Sequence, residues 1–426
     1  MLLAITVILV LATMMFGVPI AWALGISSLL ALVVTGVPLH TVPQKMFTGM
    51  DIFALTCIPF FVLAGEIMGS GGLTTRLLKF GLLLVGRIRG GLALASVIAS
   101  MIFGGITGSA IADASALGAV EIPMMVRAGY SKGFAAALVG AASCIGPIIP
   151  PSIPFVLYAM AVGKVSIVGM FAAGIIPGVI IGISLMIAAY IISRKRNYPK
   201  REERVTAREL AIGLKDALLA IMTPVIILGG ILGGIFTPTE AAAVSVVYSF
   251  IICHFVYHEL KLSDLPGMFL RTASTTAVVM IVIGTSNILG MVLAFEQVGI
   301  KLEAILRPMG YYGFMLSVNI IFLIWGCLVD MNPAILILCP IFAPIAAHLG
   351  FHPLHFGVVC CVNLIIGMIT PPLGESLFIV GPIAGVSLEE LSKEIFVFIL
   401  VEVAVLLLMS YLPFLTLFVP RLLGYA

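Results

Sequence analysis

Long apolar runs cover this chain almost from end to end, and no other feature constrains its fold as strongly. A helix that crosses the roughly 30 Å hydrocarbon core of a bilayer needs about 20 consecutive apolar residues. Such runs recur throughout the 426 residues, of which 62% are hydrophobic and only 10% are charged. Because the runs are continuous and not alternating, they predict an all-α polytopic membrane protein and exclude a β-barrel.

Composition and motifs also limit the function. All seven cysteines lie in apolar segments without the spacing of a metal site, so we interpret them as small hydrophobic residues. Basic residues concentrate in RKRNYPKREERVTAR (194–208), which predicts a cytoplasmic loop and no nucleic-acid partner. The sequence has no Walker, zinc-protease or serine-hydrolase motif. We therefore expect a protein that is not an enzyme and that uses neither ATP nor an organic cofactor.

Two adjacent prolines interrupt an apolar run in each half of the chain. Residues 146–152 read GPIIPPS and residues 368–374 read MITPPLG, and the two Pro-Pro pairs are 221 positions apart (371 − 150). Other pairs at this offset are Gly129 with Gly350, Gly146 with Gly367, and Val165-Ser166 with Val386-Ser387. With a four-residue change in offset, Asp113 pairs with Asp330 and Pro123 with Pro340. The sequence thus predicts two related halves.

Charge predicts that these halves have opposite orientations. The segment around Asp113 is flanked by basic residues, which belong on the cytoplasmic side: Arg87, Arg89, Arg127 and Lys132. The segment around Asp330 is followed by three histidines, His348, His352 and His355, and by no Lys or Arg over the same stretch. Repeats of inverted topology are an architecture of secondary transporters.

Around each aspartate, an apolar segment too long for one span is interrupted by a short polar tip. Residues 91–126 and 314–349 share this plan, and both predict re-entrant helical hairpins. A helix broken by the proline motif follows each hairpin. Backbone freed at mid-membrane depth occurs only where protein or a water-filled cavity satisfies it. Freed carbonyl groups suit Na⁺ and helix N-termini suit a carboxylate, so the tips and breaks predict the transport site.

These features divide the chain into two repeats and a linker. The first repeat, 1–193, is predicted to contain scaffold helices 1–70, an arm helix 74–90, the hairpin 91–126, a broken helix 133–162 and a helix 166–193. A basic cytoplasmic linker, 194–215, follows. The second repeat, 216–426, is predicted to contain scaffold helices 216–295, an arm helix 296–308, the hairpin 314–349, a broken helix 353–385 and a helix 390–420. The first run, MLLAITVILVLATMMF, is interpreted as a membrane helix because it lacks the basic region and cleavage site of a signal peptide.

Five motifs, in their order along the chain, resemble those of one transporter family: GGITGSAIADASALG (104–118), GPIIPPS (146–152), GGIFTPTEAAAV (233–244), DMNPAILILCPI (330–341) and MITPPLG (368–374). Over essentially its whole length, the chain resembles the large membrane subunit of tripartite ATP-independent periplasmic (TRAP) transporters. The resemblance implies a multi-pass protein of the bacterial inner membrane, with an elevator fold like that of the ion-transporter superfamily. It implies sodium-coupled uptake of a small organic acid.

The resemblance also implies partners. A periplasmic substrate-binding protein delivers the acid, and a small four-helix membrane subunit accompanies the large one, here expected as a separate chain. Membrane lipid and a small carboxylate substrate complete the expected partners. Dicarboxylates, keto acids and sugar acids such as sialic acid all present the same carboxylate, so the sequence leaves the substrate open.

Oxygen-bearing residues at the tips and breaks are the candidate site residues, because Na⁺ is a hard cation that prefers oxygen ligands. For two or more sodium ions, the only metal expected, we predict Ser109, Asp113, Ser143, Gly146, Pro147, Asp330, Asn332, Gly367 and Thr370. For the carboxylate substrate we predict Thr107, Ser152, Asn363, Pro372 and Gly374. Two structural alternatives stay open: each aspartate caps the second arm of its hairpin, and the small residues only permit close helix packing.

Three further carboxylates lie in apolar surroundings. Glu240 follows Pro238, which predicts a first-turn helix residue with a structural role. Glu66 fits either a structural or a functional role. Glu375, just past the second break, is placed to line the cavity, although its negative charge would repel an anionic substrate.

Other functions fit parts of the pattern. Asp113 and Asp330 resemble the paired aspartates of an intramembrane protease, but their equivalent repeat positions and the missing Gly-x-Gly-Asp setting favour transport. A stand-alone sodium–dicarboxylate symporter would share the architecture without a binding protein. A channel would also tolerate broken helices at the membrane midplane.

Overall fold

The computed structural model describes residues 6, 8–10, 12, 13, 16–200 and 205–426. Throughout these residues the chain is helical, with short connections and no strand. The predicted first membrane helix lies largely outside the described residues. Eight of the described helical segments are long and apolar enough to cross a membrane.

Nineteen α-helices lie in the described residues. In the first half they are α1 (Ile20–Val34), α2 (Thr41–Met50), α3 (Cys57–Ser70), α4 (Leu73–Val85), α5 (Gly91–Thr107), α6 (Ala110–Arg127), α7 (Lys132–Ser143), α8 (Ile153–Val162) and α9 (Ile167–Lys195). In the second half they are α10 (Ala207–Leu232), α11 (Pro238–Ile251), α12 (Leu265–Phe295), α13 (Val298–Leu306), α14 (Gly310–Leu328), α15 (Met331–His348), α16 (Pro353–Gly367), α17 (Glu375–Ala384), α18 (Leu388–Tyr411) and α19 (Phe414–Leu422).

The connection between the halves is shorter than the predicted linker, 194–215, because α9 extends into its beginning and α10 covers its end. Helix α10 begins after Thr206, whose hydroxyl accepts the Glu209 N–H at 3.1 Å while the Glu209 carboxylate accepts the Thr206 N–H at 3.0 Å. The predicted final helix, 390–420, is interrupted as well. Pro413, which cannot donate to a preceding carbonyl, separates α18 from α19.

Two helix pairs turn sharply at their tips. Helix α5 ends at Gly108, whose φ of 61° disfavours any side chain, and Ser109 begins α6 as its N-cap. Helix α14 ends at Val329, and Asp330 begins α15 as its N-cap. Each pair is followed by two short helices, α7 and α8 or α16 and α17, which the proline motifs separate. These helices have 10 to 15 residues, so none of them alone crosses a core of about 30 Å.

Several helix bounds in the two halves correspond at an offset of 221 residues. Helices α6 and α15 begin at 110 and 331, and α9 and α18 begin at 167 and 388 (331 − 110 and 388 − 167). The N-cap residues keep this offset: Ser109 with Asp330, Ser131 with His352, and Ser166 with Ser387. The counterpart of Asp330 is therefore the N-cap serine and not Asp113. Likewise, Pro123 corresponds to Pro344 and not to Pro340, so the pairing read from the sequence is shifted by four residues.

Contacts between the halves are reciprocal. Helix α6 packs against α17, and α15 packs against α8. In the same way α7 contacts α18 while α16 contacts α9, and α1 contacts α12 while α11 contacts α3. Cys144 and Ile365, which are 221 positions apart, meet each other directly, since the Cys144 thiol lies 3.6 Å from the Ile365 carbonyl oxygen.

Helix α9 joins two ends of the molecule. Near its start, Gly169 packs against Leu354 at the beginning of α16. Near its end, Ser193 packs against Gly90, where the α5–α6 hairpin begins. Because Gly169 and Ser193 are 24 residues apart in α9 (193 − 169), these two contacts are about 36 Å apart at 1.5 Å per residue.

The end of α9 gathers basic side chains, and we call this region the basic end. Arg89 donates to the Asn197 side chain at 2.6 Å. Arg196 holds both carboxylate oxygens of Glu394 in α18, each at 2.9 Å. The Tyr198 hydroxyl lies 2.9 Å from the Ser131 hydroxyl at the start of α7. The loops that precede α5 and α7 and the first turns of α18 therefore meet at this end.

Candidate functional site

The first tip-and-break site centres on Asp113, which lies one turn inside α6 and is 0% exposed. Thr107, the last residue of α5, donates its hydroxyl to one carboxylate oxygen of Asp113. The other oxygen, Oδ2, has no hydrogen-bond partner among the described residues. It lies against the backbone of Gly146 at the first break. A buried charge is stable only when it is paired, so this oxygen requires a proton or a cation.

Glycines bring each hairpin into direct contact with the break that follows it. Gly104 of α5 packs on Gly146, and a Cβ on Gly104 would lie 3.0 Å from the Gly146 nitrogen. In the second half, Gly326 of α14 packs on Gly367, and a Cβ on Gly326 would lie 3.2 Å from the Gly367 Cα. A side chain at either contact would push the hairpin away from the break.

The second tip is built around Asp330. Its carboxylate accepts the Asn332 N–H at 2.7 Å and so caps α15. The carboxyl group of Glu375, at the start of α17, lies beside that of Asp330 across the break. The side-chain oxygen of Asn332 is buried and has no partner within the described part of the chain. Two adjacent carboxylates repel each other strongly unless a proton or a cation lies between them.

The alternative that each aspartate caps the second arm of its hairpin is correct for Asp330 and wrong for Asp113. Asp330 caps its hairpin arm, whereas in the first half Ser109 does so by accepting the Ala112 N–H at 3.4 Å. Asp113 follows the cap by four residues and contacts the tip through Thr107. Its carboxylate therefore has no role in capping α6.

The two predicted serines of the first break hold the break itself together. Ser143 donates its hydroxyl to the Gly140 carbonyl at 2.7 Å. Ser152 caps α8 by accepting the Phe155 N–H at 3.3 Å, and it donates to the Pro147 carbonyl. Both serines are completely buried, so their hydroxyl groups stabilise the broken backbone that presents the site.

The second break has a similar internal bonding pattern. Thr370 donates its hydroxyl to the Ile366 carbonyl at 2.8 Å, and its own carbonyl oxygen accepts the Cys327 thiol at 3.3 Å. Gly374 donates its N–H to the Thr370 carbonyl at 3.1 Å and begins α17 without a side-chain cap. Pro372 is exposed at the surface of the break.

Asn363 lies in a buried polar cluster between α14, α16 and α18. Its side-chain nitrogen donates to the carbonyl oxygen and to Oδ1 of Asn319, both at 3.0 Å. Asn319 in turn donates to the Ser410 hydroxyl at 3.0 Å. The amide nitrogen of Asn363 thus serves helix packing, while its Oδ1 has no hydrogen-bond partner in the described residues.

Comparison with known proteins now decides the family. The family described as "Tripartite ATP-independent periplasmic transporter, DctM component" matches residues 7–415 of this chain. The chain belongs to this TRAP transporter family. The resemblance drawn from the five sequence motifs is therefore confirmed.

Curated relatives of this TRAP subunit are similar over nearly their whole length. The chain is 39% identical over 382 residues to the "C4-dicarboxylate TRAP transporter large permease protein DctM" of Pseudomonas aeruginosa, covering 89% of each chain. It is 38% identical over 413 residues to the "Sialic acid TRAP transporter large permease protein SiaM" of Vibrio cholerae, covering 96% of each chain. Both relatives are named as transporter permeases and not as enzymes.

A solved transporter structure shares the fold. The crystal structure of the Alcanivorax borkumensis YdaH transporter superposes with a TM-score of 0.56 and covers 90% of this chain and 89% of that one. The two sequences are only 14% identical. The likeness therefore concerns the arrangement of helices alone.

Two buried carboxyl groups of this TRAP subunit are not among the residues predicted from the sequence. Glu121 of α6 accepts the hydroxyl of Ser96 from α5, and both residues are completely buried. Glu402 of α18 is also completely buried, and within the described chain neither of its side-chain oxygens has a partner. The one available signal was an acidic residue inside a long apolar run, which is by default functional or paired.

The two carboxylates outside the tips and breaks, Glu240 and Glu66, have structural partners. Glu240 accepts the Thr237 N–H at 2.8 Å and the Thr237 hydroxyl at 2.9 Å, which confirms its predicted role in the first turn of α11. Glu66 of α3, whose role the sequence left open, pairs with Arg271 of α12 at 2.7 Å. Neither residue belongs to the tips or the breaks.

Proposed function

We propose that this TRAP subunit carries a small organic acid into the cell together with Na⁺. The observation that carries the proposal is the buried carboxylate of Asp113, whose Oδ2 has no partner among the described residues. Thr107 and the broken backbone near Gly146 place hydroxyl and carbonyl oxygens beside it. Na⁺ is a hard cation that takes ligands of these kinds, so it fits this set of oxygens.

A second ion is proposed at the second tip. There the carboxyl groups of Asp330 and Glu375 adjoin, and the buried side-chain oxygen of Asn332 has no partner in the described chain. A cation between the two carboxylates would relieve their repulsion. One ion at each tip agrees with the expectation of two or more sodium ions per cycle.

The proposed substrate is a small carboxylate held at the breaks. Helices α8 and α17 begin there, and α17 starts at Gly374 with no side-chain cap for its first N–H groups. The N-terminus of a helix attracts anions through these N–H groups and the helix dipole. The names of the two relatives, C4-dicarboxylate and sialic acid transporters, both denote organic acids.

We further propose two inverted repeats and an elevator movement. The 221-residue offset shared by several helix starts, the reciprocal helix contacts and the well-separated contacts along α9 support the inverted arrangement. The glycine contacts between hairpins and breaks support one mobile unit, 91–162 with 314–385. Mutual packing of α1, α2, α3, α11 and α12 supports a separate scaffold. Helices α4 and α13 would then be the connecting arms.

Two partners follow from membership of the TRAP family. We propose that a periplasmic binding protein delivers the acid and that a small four-helix subunit docks on the scaffold. A stand-alone sodium–dicarboxylate symporter would use the same tips and breaks without a binding protein. Dependence of uptake on the binding protein distinguishes these two functions.

Reconstitution tests the proposed function. Proteoliposomes that hold this chain with its small subunit should accumulate a C4-dicarboxylate or sialic acid when given an inward sodium gradient and the cognate binding protein. ATP should have no effect, because the sequence has no nucleotide motif. Accumulation that persists when potassium replaces sodium on both sides would refute sodium coupling. Accumulation without the binding protein would favour the stand-alone symporter.

A further inference from the structure

A cavity at the basic end lies outside the transport site. It has a volume of about 550 Å³ and forms where the end of α4, the start of α5, the end of α6 and the chain after α9 meet. Its apolar wall includes Leu82, Leu92 and Met124. Leu84 and Ile88, which lie beside the cavity in sequence, are 51% and 42% exposed. Apolar side chains therefore lie both in the cavity wall and on the exposed stretch of chain next to it in sequence.

Two cations line the other side of this cavity. Arg127 ends α6, and Lys200 follows α9. Both side chains are exposed, and within the described part of the chain neither forms an ion pair. This contrasts with neighbouring Arg196, which Glu394 neutralises at 2.9 Å. The positive charge of Arg127 and Lys200 is thus available to an anion.

A buried hydroxyl and a helix N-terminus add to this preference for an anion. Tyr130 lines the cavity and is only 4% exposed, yet its hydroxyl has no hydrogen-bond partner among the residues described. The backbone N–H groups of Leu92 and Ala93, in the first turn of α5, face the Tyr130 oxygen without reaching hydrogen-bond geometry. The N-terminus of α5 carries a partial positive charge and favours phosphate.

We propose that this cavity binds an anionic phospholipid, with its phosphate near Arg127, Lys200 and the Tyr130 hydroxyl and an acyl chain along the apolar wall. Basic pockets at the cytoplasmic surface attract acidic lipid headgroups. The apolar wall formed by Leu82, Leu92 and Met124 favours a lipid over a soluble phosphate. The inference rests on the proposed cytoplasmic position of the basic end, and it is independent of sodium coupling.

Native mass spectrometry of the complex with its small subunit tests this site. In mixed micelles, phosphatidylglycerol should bind at least about tenfold more tightly than phosphatidylcholine. The double variant R127Q/K200Q should weaken phosphatidylglycerol binding roughly thirtyfold, since each basic side chain near an acidic lipid contributes about fivefold. The matched control K45Q/R421Q removes two exposed cations elsewhere and should change the affinity by less than about twofold.

Several outcomes would overturn the proposal. Unchanged phosphatidylglycerol affinity in R127Q/K200Q, or equal affinity for both lipids, would exclude an anionic-lipid site here. Competition by soluble glycerol phosphate as strong as that by the lipid would assign the cavity to a soluble anion. If the double variant fails to assemble, Met124→Trp, which fills the apolar wall, should still reduce lipid binding about tenfold, and an unchanged affinity would refute the proposal.

Discussion

Asp113→Asn should lower the apparent sodium affinity of uptake at least about a hundredfold, because removing one partner of a buried ion pair costs about 3–5 kcal/mol. The carboxylate is 0% exposed, and its Oδ2 lacks a partner among the described residues. The amide has nearly the same shape, and Ser109 caps α6, so the hairpin should keep its structure. Initial uptake rates measured against sodium concentration in proteoliposomes give the affinity.

Two further variants are compared with Asp113→Asn, one as a control and one as a smaller change at the same site. Asp51→Asn changes an exposed aspartate at the end of α2 and should leave the sodium dependence unchanged. Thr107→Val removes only the hydroxyl that donates to Asp113, so it should weaken sodium affinity about tenfold, as expected for a hydrogen bond to a charged group. A wild-type sodium dependence in Asp113→Asn would show that this carboxylate is not an ion ligand.

Gly146→Ala should reduce the rate of uptake at least about fivefold, because overpacking a close contact costs about 1–3 kcal/mol. The added Cβ would overlap Oδ2 of Asp113 and lie 2.9 Å from its Cγ. It would also push α5 away from the break, since Gly104 packs on the same residue. Uptake rates and the thermal stability of the purified complex measure the effect.

The chain offers a matched control for this substitution. Gly229→Ala adds the same methyl group to α10, where nothing lies within 4 Å, so its uptake should stay close to the wild-type rate. Gly367→Ala should reproduce the loss in the second half, because its Cβ would meet the backbone of Gly326. Normal uptake by both Gly146→Ala and Gly367→Ala would contradict a site built from close contact of hairpins and breaks.

The sequence predicted the features that depend on local composition. Continuous apolar runs predicted the membrane helices, and paired prolines predicted the breaks at 146–152 and 368–374, since proline removes a backbone donor wherever it stands. The role of Glu240 was also predictable, because a capping residue acts within one helical turn. Small residues and prolines predicted the 221-residue offset that several helix starts share, whereas the aspartates do not keep this offset.

Contacts between helices that are distant in sequence could not be predicted. The sequence pairs Asp113 with Asp330, each ten residues before a proline, yet the structure aligns Asp330 with the Ser109 cap, since capping accepts either residue type. Asn363 is predicted to bind substrate because it is an oxygen-bearing residue near the second break, and its amide nitrogen donates to Asn319, 44 positions away. No spacing rule identifies such partners, because helix packing determines them.

In the proposed elevator movement, hairpin tips and breaks form one unit that moves against the scaffold. Spin labels at Ser115 in α6, Ala347 in α15 and Val247 in α11, all exposed positions, test it in a background without native cysteines. Between sodium-loaded and sodium-free samples, the Ser115–Ala347 distance should stay constant. The Ser115–Val247 distance should shift by about one or two helical turns, roughly 5–11 Å. A Ser115–Ala347 distance that changes widely while Ser115–Val247 stays fixed would contradict the elevator and indicate local gating.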